Sequence, residues 1–186
     1  MKDKNLIRFY KKIEQFEFET TSYIQEIKKL VSEAQHNNNV KIISYFTYST
    51  NISHCKDKEN LLIGTFHLQN IGNTVCTKPY ICIKLKSDVP FHFSGKYISK
   101  KSNTALQPKE TWERINNQTD PTEFWLMPVG KEIIAPSEKI SFPNFQVKWT
   151  PEKTYSGGVM GYSYAEEFKD GIPAINQIHI NGQMKD

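Results

Sequence analysis

The chain has 186 residues, room for one β-rich domain with an appendage and too few for two full domains. Apolar residues at 38% and charged residues at 24% supply a core and disfavour disorder, and a net charge of +4 spread along the chain implies solubility more than a polyanionic partner. No apolar run approaches the roughly eighteen residues of a membrane span, and the opening MKDKNLIRFYKKIEQF lacks the uninterrupted apolar stretch of a leader. Three cysteines, Cys55, Cys76 and Cys82, are too few for a disulfide framework, so reduced thiols and a cytoplasmic setting are expected.

Residues 5–35 contain neither glycine nor proline and are rich in Glu, Lys, Gln, Ile and Leu, which predicts a helix. Within it Phe9, Ile13, Phe16, Thr20, Tyr23, Ile27, Leu30 and Ala34 recur at alternating spacings of four and three, the a and d positions of a heptad. Leu6 extends the series, and Ile24 and Val31 widen the seam. Two readings follow: a coiled coil that makes the protein an oligomer or docks it on a partner helix, or a helix packed along its own domain. About thirty residues reach roughly 45 Å, longer than a small sandwich is wide, which favours projection. Phe9, Ile13, Phe16, Tyr23, Ile27 and Leu30 are then the candidate oligomerisation or docking residues. Thr20 on the seam, with Phe16, Phe18 and Tyr23, stands against a regular dimer.

The asparagine run at 37–39 ends the helix and divides the chain into 1–38 and 39–186. Val40–Thr50 is dense in β-branched and aromatic residues and reads as the first strand. In Leu61–Lys86 two strands are joined by a turn-rich connection. Leu62, Phe66 and Leu68 share one face and Thr65, His67 and Gln69 the other, and later Ile81, Ile83 and Leu85 alternate with Tyr80, Cys82, Lys84 and Lys86. Val89–Phe93 offers a short strand with Phe91 and Phe93 inward, Ser94–Glu110 a polar excursion, and Trp112–Asp120 an irregular stretch. Strands are expected over Thr122–Met127, over Lys139–Trp149 with a bulge at Pro143-Asn144, after a break at Gly157-Gly158, and over Ile172–Ile180. Seven or eight short strands punctuated by turns indicate a mainly β protein, an antiparallel β-sandwich preceded by one long amphipathic helix.

Leu68-Gln69-Asn70-Ile71-Gly72-Asn73, the aliphatic strand ICIKL, and Ile134-Ala135-Pro136-Ser137-Glu138 leading into ISFPNFQVKW together resemble bacterial immunoglobulin-like domains of the cell-adhesion-related type. In those domains an N-x-G-N turn and a P-G-E turn precede core strands. The resemblance covers residues of about 60–150. Ser137 stands where such domains often place glycine, and a long polar insertion separates the two motifs. It implies an immunoglobulin-like sandwich serving as spacer, adaptor or ligand binder.

Chemistry is weakly signalled. His67, Cys82 and His92 share the outward phase and would form a metal or catalytic cluster if their strands were neighbours, but there is no CxxC, HExxH or HxH, so no metal or cofactor is expected. Glu110, Glu113, Asp120 and Glu123 cluster beside Trp112 and Trp125, where a glycosidase would place two acids, although solvated loop charge explains them better. Trp112 and Trp125 also make a candidate platform for a sugar ring or a partner side chain. Lys78, Lys84, Lys86, Lys96, Lys100 and Lys101 form a basic stretch, but only Arg8 and Arg114 are arginines, which argues against nucleic acid. The expected function is a non-enzymatic adaptor or accessory subunit that binds another protein or itself through the helix. A carbohydrate-binding module using Trp112 and Trp125 is the alternative.

Overall fold

The computed structural model describes residues 2–36, 40–53, 55, 58–99, 111–117 and 119–183, with helix side chains described between 10 and 29. The chain divides into two compact units, Met1–Asn38 and Asn39–Asp186. The first holds one α-helix, α1 (Lys2–His36), whose 35 residues run unbroken because no glycine or proline interrupts them. No described helix is long and apolar enough to cross a membrane. The side chains of Phe9 and Leu30, the asparagine run and the excursion at 100–110 lie outside the described residues.

The second unit is mainly β. Its strands are β1 (Ile42–Asn51), β2 (Asn60–Asn70), β3 (Cys76–Thr77), β4 (Tyr80–Ser87), β5 (His92–Ser94), β6 (Tyr97–Ser99) and β7 (Trp112–Arg114). They continue with β8 (Glu123–Pro128), β9 (Ile133–Ile134), β10 (Lys139–Trp149), β11 (Tyr155–Ala165), β12 (Phe168–Pro173) and β13 (Ile178–Gly182). A smaller sheet has the order β1-β2-β10-β5, and a larger one β12-β11-β4-β8-β7-β6 with β13 also on β11. Pairing is antiparallel except between β6 and β7. β3 and β9 pair separately.

The two sheets face each other across a phenylalanine-rich core. Phe46, Leu62, Phe66, Phe142, Phe145 and Val147 come from the smaller sheet, and Ile81, Ile83, Phe124, Leu126 and Val159 from the larger. Strand alternation puts these residues on one side, as the period-two pattern of β2 and β4 predicts. Between Phe142 and Phe145 the register shifts, and Asn144 takes a left-handed φ of 54°. That bulge turns both rings inward although they are three residues apart, and they stack at 6.3 Å. Gly161 makes room opposite: a Cβ there would stand 2.3 Å from the Phe66 ring and 2.7 Å from that of Phe46.

Several expectations are corrected. The two strands joined by the turn-rich connection, β2 and β4, lie in opposite sheets, so that connection crosses the sandwich edge and the outward faces of His67 and Cys82 are not shared. Gly157 and Gly158 do not break the chain; they lie inside β11, where Gly158 sits against the Ile178 carbonyl of β13 with no space for a side chain. The single closing strand over Ile172–Ile180 is two strands, because the chain leaves β11 at Ala174 and returns at Ile178. In that interval Ala174 donates to the Gly161 carbonyl, Ile175 donates to the Ser44 carbonyl of β1, and the Asn176 amide both accepts from the Phe46 N–H (2.8 Å) and donates to its carbonyl (3.0 Å). The side chain thus stands in for a strand residue on the edge of β1. A buried hydroxyl pair, Ser44 and Ser163 at 3.2 Å, joins the two sheets beside it.

The two motifs that carry the family resemblance meet in space. Asn70, fully buried at the end of β2, accepts from Gly72 N–H (2.9 Å) and donates to the carbonyls of Thr74 (2.7 Å) and Ile134 (3.0 Å). Its backbone pairs with Glu138 and Ser137. Ser137 has a φ of 66°, the left-handed region that glycine fills without strain. Glu138 closes its own turn by accepting from Ala135 N–H and pairing with Lys131, which holds its carboxyl below the usual range.

Candidate functional site

The described part of α1 presents its apolar side chains to water. Ile13 is 38% exposed, Phe16 66%, Tyr23 64% and Ile27 59%, and Tyr10 and Ile24 are also exposed. At about 100° per residue, Ile13, Phe16, Thr20, Tyr23 and Ile27 fall within an arc of roughly 80°, with Ile24 and Tyr10 on one flank. Phe18 lies off this stripe and is 77% exposed. Of the six helix residues singled out from the sequence, four are therefore on one exposed face, and the side chains of Phe9 and Leu30 are outside the described set.

The sandwich places the two candidate tryptophans differently. Trp112 is 2% exposed: the phase of β7 sends it inward opposite Pro128, its Nε1 donates to the Ser141 carbonyl at 3.0 Å, and its ring meets Phe142 edge-on. It is a core residue, which corrects its assignment to a ligand surface. Arg114 follows the same phase and is buried; its guanidinium lies 4.3 Å from the Phe124 ring centroid and donates to the carbonyls of Asn117, Asp120 and Glu123, fixing that loop. Trp125 takes the opposite phase. On the outer face of the larger sheet it lies across from Cys82, with its ring 5.0 Å from Tyr164 and 6.1 Å from Tyr80. Tyr80 and Tyr164 are a direct cross-strand pair stacked at 5.0 Å and 7°. The outward phase of Tyr80 is legible in its strand, but its meeting with Tyr164 depends on register between strands some eighty residues apart.

Farther along this face, Lys86, Gly158, Met160, Gln177 and His179 border an open cleft of about 540 Å³. The glycine pair of β11 leaves its floor bare of side chains. Asp88 on the rim is engaged, accepting from Ser156 N–H at 2.9 Å.

The groups with potential chemistry are separated or satisfied. His67 is on the outer face of the smaller sheet and Cys82 on that of the larger, so the sequence-suggested cluster with His92 does not form, and no group of three metal-binding side chains exists among the described residues. The His67 imidazole lies between the hydroxyls of Thr47 (3.0 Å) and Ser141 (2.8 Å), and burial, with Lys139 nearby, lowers its pKa. A neutral ring then donates to one hydroxyl and accepts from the other. Burial pushes the Cys76 and Cys82 thiols up to about 12, away from the thiolate a nucleophile needs. Among the acids, Asp120 accepts from Thr122 and Glu123, and Glu123 is held by Lys84 and by Trp125 Nε1 at 3.1 Å. Both carboxyls are lowered by these bonds, the reverse of the raised acid that glycoside hydrolysis uses. Glu110 lies outside the described residues. The basic stretch is likewise divided, Lys78 pairing with Glu166 and Lys84 with Glu123, while Lys100 and Lys101 are outside the described residues.

No family model and no curated protein matches the chain. Among solved structures it is similar to a cohesin module from a Clostridium perfringens family 33 glycoside hydrolase, at 8% identity and a TM-score of 0.37, over 78% of this chain and 98% of that one. It is also similar to AvmM, which catalyses macrocyclization in alchivemycin A biosynthesis, at 7% identity and a TM-score of 0.38, over 80% and 90% of the two chains. A third is Spo0M, a sporulation control protein from Bacillus subtilis, at 12% identity and a TM-score of 0.31, with this chain spanning 50% of its length. Likeness this slight carries no argument about activity or partner, and the sandwich stands on its two sheets and their shared core.

Proposed function

We propose that the protein is a non-enzymatic adaptor or accessory subunit in which α1 is an assembly helix and the sandwich recognises a protein partner. The observation that carries this reading is the exposed stripe of Ile13, Phe16, Tyr23 and Ile27. Burying a large apolar side chain is worth on the order of 1.5–3 kcal/mol, so a helix that leaves four of them in water gains from any apolar surface that covers them. A contiguous row of this kind marks an association site more than chance exposure does, because isolated exposed hydrophobes are ordinary and aligned ones are not.

A carbohydrate-binding module remains the second reading, favoured by the cluster of Tyr80, Trp125 and Tyr164 on an outer sheet face. It is supported less. Sugars stack on ring faces, and here the faces of Tyr80 and Tyr164 lie against each other while Trp112 is in the core.

The test is the full chain carrying Ile13→Glu and Ile27→Glu, compared with the unaltered chain by light scattering coupled to size exclusion. The unaltered protein is expected to run as a dimer or larger, and the double variant as a monomer whose sandwich melts as before. A monomeric unaltered protein across the accessible concentration range would sink the assembly reading.

A further inference from the structure

We propose that the occupant of the helix stripe is a second copy of this chain, aligned parallel and in register; this rests on the assembly reading above. Numbered as heptads, residues 10–29 put Ile13, Thr20 and Ile27 at a, Phe16 and Tyr23 at d, Tyr10, Glu17 and Ile24 at e, and Lys12, Glu19 and Glu26 at g.

Two independent features point to the parallel arrangement. The first is shape. The stripe carries an open hollow lined by Ile13, Phe16, Glu17, Thr20 and Thr21. Ile13, Phe16, Glu17 and Thr20 are successive a, d, e and a positions, the four that frame the hole for a d-position knob on a parallel, in-register helix. The knob that arrives is Phe16 of the second copy. Thr20, the one short side chain on the seam, is what makes that hole deep enough for an aromatic ring. A residue that is a poor knob is thus well placed as the wall of a hole.

The second feature is charge. In a parallel pair each g position faces the following e position of the other helix, so Lys12 faces Glu17 twice by symmetry, Glu19 faces Ile24, and no like-charged pair flanks the described seam. In an antiparallel pair g faces g and e faces e. The alignment that sets Ile13 against Tyr23 then places Glu19 against Glu19 and Glu17 against Glu17 at the middle of the interface, so its Lys12–Glu26 pairs toward the ends are offset by two like-charged contacts that the parallel pair does not have. Orientation is chosen by what the wrong arrangement brings together as much as by what the right one pairs. Because Asn39–Asp186 follows the helix in the chain, parallel copies carry their sandwiches from the same end, and a partner with repeated epitopes is then held multivalently.

The test uses the full chain with Cys55→Ser, which removes the exposed thiol, and one spin label introduced through Lys11→Cys or Gln25→Cys. Both sites are f positions, opposite the seam. Pulsed electron resonance is expected to give a short intermolecular distance from each label. Any antiparallel alignment separates the two copies of at least one site by 14 residues or more, roughly 21 Å of helix axis, so one long distance with one short, or two long ones, overturns the proposal. A labelled protein that assembles by light scattering but gives no intermolecular distance below the detection limit also overturns it, since the association then runs through another surface. If the protein is monomeric, the assembly reading itself fails, an outcome that the scattering measurement separates from a wrong orientation.

Discussion

Replacing Asn70 with alanine removes three hydrogen bonds from a side chain that water does not reach. Gly72 N–H loses its acceptor at 2.9 Å, and the carbonyls of Thr74 and Ile134 lose donors at 2.7 and 3.0 Å. Each such bond contributes about 1 kcal/mol net, and a group left buried without a partner costs about 1–3 kcal/mol, so the sum is roughly 3 kcal/mol. The Ile134 contact is the most enclosed and dominates; Gly72 and Thr74, being partly exposed, recover some of their loss through water. Asn70→Asp sharpens the test, because it keeps the acceptor for Gly72 and sets a carboxylate against two carbonyls. Its folded-state pKa is expected to rise above the unfolded value near 3.9, so the folded form holds the proton more tightly. Stability is then greatest below that value and falls as pH rises through the folded pKa, and the deficit against the unaltered protein grows from acid to neutral pH. Urea titrations at several pH values, followed by tryptophan fluorescence, measure both; all three tryptophans lie in the sandwich unit. A loss below about 1 kcal/mol for the alanine variant, or an aspartate deficit independent of pH, would refute the assignment of Asn70 as the clamp between the two turns.

Ser137→Gly tests the same corner from the backbone side. A left-handed φ costs a side-chain-bearing residue about 1–2 kcal/mol, and glycine returns about 0.4–1 kcal/mol of that through its freer unfolded state, so a gain of about 0.5–1 kcal/mol is expected; an unchanged or lowered denaturation midpoint counts against it. The thiols separate by burial: Cys55 is exposed, while Cys76 and Cys82 are buried with pKa values pushed up to about 12. An aromatic disulfide reagent at mildly alkaline pH is expected to titrate one thiol rapidly in the folded protein and three in denaturant, and two or three rapid thiols in the folded state would contradict the placement of β3 and β4.

Much of the sandwich is legible in its alternation. The phases of β2, β4, β8 and β10, and the bulge at Asn144, follow from which residues are apolar and from a single Pro-Asn pair between two phenylalanines. β6, β7 and β9 escape detection because two or three residues do not amount to a period. Gly157 and Gly158 read as a break because glycine usually punctuates strands, whereas here a side chain at Gly158 would collide with the Ile178 carbonyl of β13 and one at Gly157 with the Phe91 ring and the Ser87 hydroxyl. The outward placement of Trp125 follows from the legible phase of β8, whereas the burial of Trp112 is decided by the phase of the three-residue strand β7. The aromatic trio was half visible, since Tyr80 declares its face locally but Tyr164 becomes its neighbour only through long-range register. The helix stripe needs no tertiary information, because its three-and-four spacing is local to one segment, whereas what covers it depends on a surface outside that segment.

The hold that Asn176 takes on Phe46 spans 130 residues of sequence. During synthesis, β1 therefore emerges with its outer edge bare and stays so until residue 176 has left the ribosome. At about 5–20 residues per second, that leaves an unprotected strand for several seconds or longer. Over the same interval α1 is already complete, since helices form within microseconds. If the helices self-associate as proposed, neighbouring nascent chains on one message meet through them before either sandwich closes its seam. Premature strand exchange at β1 is the hazard, and the late amide latch is the step that ends it.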